Sequence, residues 1–297
     1  MTQQQRDLAH QLLRDSPLDL GGDVHVQRPL LEQLLTAHQP PADVLTERVT
    51  LGGVPAVAID IADVESEGVL LFFHGGVFAL GSANGSVGLV ADLARRTRMR
   101  AVTADYRLAP EHPFPAAIED AVAIYRALVD QEGGPERIVI GGESAGANLA
   151  VATLLAAGAA GLPQPAAGLL MSPWSDLTVT GDSLLTKADA DPKLTAAGLR
   201  IRALEYAAGA DPKNPLISPI FADLTGLPPL LVQVGSHEVL LDDAIRLAAR
   251  AASDDVAVTL DVTPGVPHVF QAFAAFLEEG DTALTRAAEF LRAQVAA

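Results

Sequence analysis

From about residue 45 onward the chain alternates short apolar runs with stretches whose apolar positions recur every three or four residues. LTERVTL and VPAVAID flank Gly52-Gly53, and two such runs joined by two glycines predict a β-hairpin, because Gly tolerates the positive φ of a tight turn. VLLFF (69–73), AVTADY (101–106), ERIVIGG (136–142), GLLMS (168–172), PLLVQVG (229–235) and VAVTLDV (256–262) have the length and apolar content of strands. Segments 86–97, 115–129, ANLAVATLLAAGAA, 242–252 and 281–295 predict helices, with Ile118, Val122, Tyr125 and Val129 at helical spacing in the second. Apolar strands separated by helices predict an α/β fold: a mostly parallel central sheet flanked by helices on both faces, with the hairpin adding antiparallel edge strands.

Two segments stand outside this alternation. Residues 1–44 carry amphipathic helical spacing (Leu8, Leu12 and Leu13, then Leu30, Leu31, Leu34 and Leu35) and end at Pro40-Pro41. Residues 175–217 interrupt the strand order with a polar stretch and one helix near 195–208. Helical insertions beyond strand ends commonly cover a site as a lid, so a single domain over 1–297 with a helical cap from about 1–44 and 175–217 is expected. The sequence shows no internal repeat and no low-complexity linker.

Composition narrows the chemistry. The absence of cysteine excludes disulfides, thiolate metal sites and cysteine catalysis. A formal net charge of −17 repels nucleic acid and anionic membranes, and points to a neutral small-molecule substrate. No secretory leader pattern begins the chain and no run approaches the ~20 apolar residues of a membrane span, so a cytoplasmic protein is expected. An edge strand at 256–262 leaves room for a homodimer.

Gly142-Glu143-Ser144-Ala145-Gly146 is the one G-x-S-x-G match in the chain. A strand is predicted just before it and a helix just after it, the context in which such a serine is presented on a strained turn between small neighbours. A serine hydroxyl needs a positioned base. In this chain order the base follows the serine, which leaves His237 and His268, and His268 sits in a Gly-Pro loop directly after the last strand, at the same sheet edge as Ser144. For the acid that orients the imidazole, Glu238, Asp242 and Asp243 compete in the segment after PLLVQVG. Glu238 is assigned, with Asp242 in reserve, because the aspartates fall where they would favour the start of the next helix. No second ligand accompanies His237 at metal spacing, so no metal site is expected.

His74-Gly75-Gly76 follows VLLFF, and consecutive glycines let backbone amides approach a substrate. The amides of Gly75, Gly76 and Ala145 are assigned as oxyanion donors, with His74 bracing the loop by hydrogen bonding. Asp105, Arg107 and Glu111 are expected to form charge pairs that fix the neighbouring loop, with Trp174 as pocket wall and Asp176 as loop anchor.

These residues resemble the bacterial hormone-sensitive-lipase-like esterases of the α/β-hydrolase superfamily. HGGVFALGS (74–82), DYRLAPEHPFPAA (105–117), GESAGANLA (142–150) and SPWSDL (172–177) carry the resemblance, with GSHEVLLDDA and GVPHVF agreeing in order and spacing. The resemblance implies an α/β-hydrolase fold with a cap, hydrolysis of short-chain carboxylic esters through an acyl-enzyme, and no cofactor. Two departures stand out: Val77 occupies the place of the family's third glycine, and Glu238 that of its usual Asp. An amidase, lactonase or acyltransferase with the same triad is the nearest alternative, and a non-catalytic small-molecule receptor a more distant one.

Overall fold

The computed structural model describes residues 3–37 and 40–295. Helices α1 (Gln3–Asp15) and α2 (Val24–Leu35) precede a hairpin of β1 (Val44–Leu51) and β2 (Val54–Ile61). Then come β3 (Val69–Phe73), α3 (Val87–Thr97), β4 (Arg100–Ala104), α4 (Ala116–Glu132), β5 (Ile138–Glu143), α5 (Ala145–Ala159) and β6 (Ala167–Met171). After the short α6 (Ser183–Thr186) and α7 (Ala196–Ala207), the chain closes with β7 (Leu230–Gly235), α8 (Leu241–Ser253), β8 (Val258–Thr263) and α9 (Glu278–Val295).

The strands form one 8-stranded sheet in the order β1-β2-β4-β3-β5-β6-β7-β8. From β4 across to β8 all neighbours are parallel, while β2 runs antiparallel to both β1 and β4. The helices cover both faces, as the continuous apolar runs require. Along β3 the two-residue period sends Val69, Leu71 and Phe73 into a core shared with α4, α5 and α8. Leu70 and Phe72 enter the opposite core with α3 and α9.

Chain order reverses between β3 and β5: from β3 the chain moves to β4 on one side, and from β5 onward to the other. A crevice opens outside the carboxyl ends of strands at such a point, because the two connecting loops diverge. Gly75 follows β3 there, and Ser144 follows β5.

The two segments outside the alternation touch each other. The first holds two helices, α1 and α2, with a break over 16–23; residues 1, 2, 38 and 39 of that segment lie outside the described residues. The buried Arg202 of α7 donates to the carbonyls of Leu20 (2.6 Å) and Gly22 across that break, and Lys193 Nζ donates to Ser16 O at 3.0 Å. Arg28 of α2 reaches down to the sheet edge, donating to the carbonyls of Ala79 (2.8 Å) and Ala109 (2.9 Å) and pairing with Glu111.

That pairing corrects one expectation. Asp105, Arg107 and Glu111 do not pair with one another. Arg107 binds Asp120 and Glu119 of α4, Asp105 accepts the Ala83 N–H at 2.7 Å, and Glu111 takes Arg28. The reason is geometric, since each side chain leaves the loop toward a different packed element.

Candidate active site

Ser144 sits between β5 and α5 with φ 55° and ψ −120°, a backbone state that costs a side-chain-bearing residue of order 1–3 kcal/mol. Its neighbours explain how that turn is accommodated. A Cβ at Gly146 would stand 2.0 Å from Phe73 O and 2.5 Å from His74 O, and one at Gly142 would stand 2.3 Å from Gly146 O. Only glycine fits at either position, so the β3 loop lies directly against the turn. The serine is buried, its N–H donating to Met171 O (2.9 Å) and its carbonyl accepting from Trp174 N–H (3.2 Å).

His268 and Glu238 meet from separate loops. His268 Nδ1 lies 2.6 Å from Glu238 Oε2, and the Glu238 side chain is completely buried. The other oxygen of that carboxylate accepts the Gly235 N–H at 2.6 Å and the Ser172 hydroxyl at 2.9 Å. Ser172 Oγ in turn accepts the Val269 N–H at 3.1 Å, which ties Glu238 and the His268 loop together. Burial alone would oppose the imidazolium; the Glu238 charge and hydrogen bond, helped by Asp191, outweigh it and hold His268 above its ordinary pKa.

The two aspartates face elsewhere. Asp242 accepts the Ser183 N–H at 2.8 Å, and buried Asp243 accepts the amides of Ser175 and Asp176 at 2.9 and 2.8 Å. His237 lies edge-on to His10 of α1, with ring centroids 5.4 Å apart. Among the described residues no group of three or more His, Cys, Asp or Glu is placed to hold a metal ion.

The loop after β3 is built by sterics as well as hydrogen bonds. Gly76 has φ 111°, and a Cβ there would stand 2.3 Å from Leu80 O. Its carbonyl accepts the amides of Ala79 (3.0 Å) and Leu80 (2.8 Å), closing a tight turn. Val77 and Phe78 follow at φ 54° and 60°, so the residue in the place of the third glycine takes the left-handed conformation a glycine would take freely. His74 Nδ1 donates to Gly75 O at 2.7 Å, since a carbonyl oxygen can only accept, and burial pushes the ring below its ordinary pKa. The same ring stacks on Tyr106 at 4.3 Å, and the Tyr106 hydroxyl donates to His74 O at 2.8 Å.

A Cβ built on Gly75 would lie 3.2 Å from Ser144 Cβ, so the loop backbone faces the serine. Among the described residues the amides of Gly76 and Ala145 donate to no protein group, whereas Gly75 N–H donates to Glu143 Oε1 at 3.3 Å. Phe78 stacks on Tyr206 of α7 at 3.8 Å and leans on Trp174 at 6.2 Å, giving an aromatic wall between this loop and α7. Asp176 accepts from Thr178, Thr180 and Arg246, holding the segment after Trp174.

Sequence reasoning passed over two residues here. Ser172 stands out only as the end of the strand GLLMS and the start of SPWSDL, and its link to Glu238 depends on β6 and β7 being neighbours. Glu143 was counted as the variable position of G-x-S-x-G, and its contact to Gly75 depends on β3 pairing with β5.

Against known proteins, the sequence profile of a family described as alpha/beta hydrolase fold matches residues 70–272. An acetyl-hydrolase of Streptomyces hygroscopicus is 45% identical over 253 residues, covering 85% of this chain and 83% of that protein. An esterase of Acinetobacter venetianus is 39% identical over 276 residues, covering 93% and 91%. The crystal structure of an esterase from the bacterial hormone-sensitive lipase family superposes with a TM-score of 0.95 at 41% identity, covering 99% of each chain.

Proposed function

The chain belongs to the alpha/beta hydrolase family, among the esterases of bacterial hormone-sensitive-lipase type, and from that premise we propose a carboxylesterase that works through Ser144, His268 and Glu238. The observation that carries the proposal is the buried 2.6 Å contact of His268 with Glu238, set at the same sheet edge as a serine on a strained strand-to-helix turn. Glu238 fixes the tautomer with the proton on Nδ1, leaving Nε2 to take the Ser144 proton. Ser144 Oγ then attacks the ester carbonyl. The amides of Gly76 and Ala145, with Gly75 beside them, receive the oxyanion. The alcohol leaves with the proton from His268, and water repeats the cycle on the acyl-enzyme.

The substrate is a neutral ester with a short acyl group. The packed aromatic wall of Phe78, Tyr206 and Trp174 supports the size limit, and the net charge of −17 supports neutrality. The described parts of 1–44 and 175–217 act as a cap, supported by the Arg202 and Lys193 contacts between them. A homodimer through β8 is supported by its place at the sheet end, with Leu260 and Val262 exposed. No described helix is long and apolar enough to cross a membrane.

The test is turnover of p-nitrophenyl acetate by wild type and Ser144→Ala. The expected loss in kcat is on the order of 10³-fold or more with folding intact, together with a burst of nitrophenol from wild type only. Near-wild-type turnover by Ser144→Ala would remove the serine from its role.

A further inference from the structure

Glu143 stands immediately before the nucleophile, and the acyl-transfer steps make no use of it. Its side chain crosses from the β5 turn to the β3 loop, where Oε1 accepts Gly75 N–H at 3.3 Å and Cγ packs where a Gly75 side chain would start. Among the described residues no lysine or arginine pairs with it; the titratable groups that face it are the His268 imidazole, with Glu238 behind it, and the Tyr106 phenol. It is partly buried.

A carboxylate held by one long N–H bond is poorly compensated, and here it would border the place where the substrate oxyanion forms. Two unit negative charges about 4 Å apart repel by roughly 4 kcal/mol at an effective dielectric near 20. An oxyanion donor supplies only about 3–4 kcal/mol, so an ionised Glu143 would cancel one. We propose that Glu143 is a positioning residue that anchors the oxyanion loop through Gly75 N–H and does so as an uncharged carboxylic acid. Burial favours that form and pushes the group above its ordinary pKa, against the opposing pull of the Gly75 amide and His268. Gly75 N–H then serves chiefly to hold the loop, and Gly76 and Ala145 are the free donors. The inference rests on the esterase reading above and deepens it.

The experiment compares wild type, Glu143→Gln and Glu143→Ala in kcat, KM and pH profile with p-nitrophenyl acetate, and in affinity for n-butylboronic acid, whose tetrahedral adduct mimics the oxyanion. Gln preserves the acceptor without a charge, so it is expected to keep kcat within about twofold and leave the acid limb unmoved. As pH rises through the raised pKa of Glu143, wild type loses rate, and Gln does not. Ala is expected to lose roughly 10–100-fold in kcat and in boronate affinity, with KM little changed. A Gln variant as damaged as Ala would show that the charge is needed and overturn the proposal, as would an Ala variant equal to wild type. Should Ala fail to fold, the Gln result decides alone. A wild type without ester turnover would sink the esterase reading instead, and the boronate affinities would still judge Glu143.

Discussion

The two sides of Ser144 are built on opposite principles. Toward β7 and β8, the Glu238 carboxylate is surrounded by the Gly235 amide, the Ser172 hydroxyl and the His268 ring, with contacts of 2.6, 2.9 and 2.6 Å. Toward β3, the loop holds three successive residues at positive φ (Gly76, Val77 and Phe78), and the Glu143 carboxyl beside Gly75 meets it through a single hydrogen bond of 3.3 Å. The saturated side can keep a charge buried, because every desolvated oxygen has a donor. The strained side cannot, and its use is different. Backbone held by packing leaves the Gly76 amide without a protein acceptor, as the proposed oxyanion role requires.

Breaking the saturated side should cost most. Glu238→Ala is expected to lower kcat on p-nitrophenyl acetate by about 10³–10⁴-fold, while Asp242→Ala stays near wild type. Equal losses in the two would erase the distinction between the carboxylates. The pH profile gives the sign. Only unprotonated His268 is a base, so activity falls as pH drops through its raised pKa. Glu238→Gln removes the main group holding that pKa up, leaving burial to lower it, so the residual activity should keep its acid limb to a lower pH than wild type.

The strained side is tested by Gly76→Ala, whose Cβ would meet Leu80 O at 2.3 Å. A loss of about 10²-fold in kcat is expected, equivalent to one misplaced oxyanion donor, with fluorophosphonate labelling of Ser144 still detectable. Full activity would mean that the loop tolerates rearrangement and that its strain has no part in the site. The smallest effect belongs to the link between the acid and the histidine loop. Ser172→Ala removes one hydrogen bond to a charged group, worth about 1.5 kcal/mol, and should slow kcat roughly tenfold. A measured loss matching that of Glu238→Ala would show that Ser172 does more than orient the acid.

Much of this architecture was legible along the chain. The apolar runs located the strands to within a residue or two, and most sharply in β3, β5 and β6, where burial on both faces leaves no polar side chain along the middle. Ser144 was legible because its turn excludes every side chain at 142 and 146, a local steric demand that leaves its mark in adjacent letters. His268 stands out as the candidate base because, of the two histidines after the serine, only it lies beyond the last strand. Helix ends were less sharp: α9 begins at Glu278, three residues before its apolar spacing suggested, since acidic side chains favour a first turn whatever their hydropathy.

By itself, then, the sequence determined the alternation of strands and helices, the backbone turn at Ser144 and the short list of groups from which a base and an acid could come. Only the tertiary structure decided which carboxyl meets His268, that Arg107 turns to Asp120 and Glu119 while Glu111 takes Arg28, and that Ser172 and Glu143 brace the two sides of the serine. The reason is one of range. Helical or strand spacing and steric exclusion act between residues a few positions apart, whereas a hydrogen bond such as Gly75 to Glu143 exists only once β3 and β5 lie side by side.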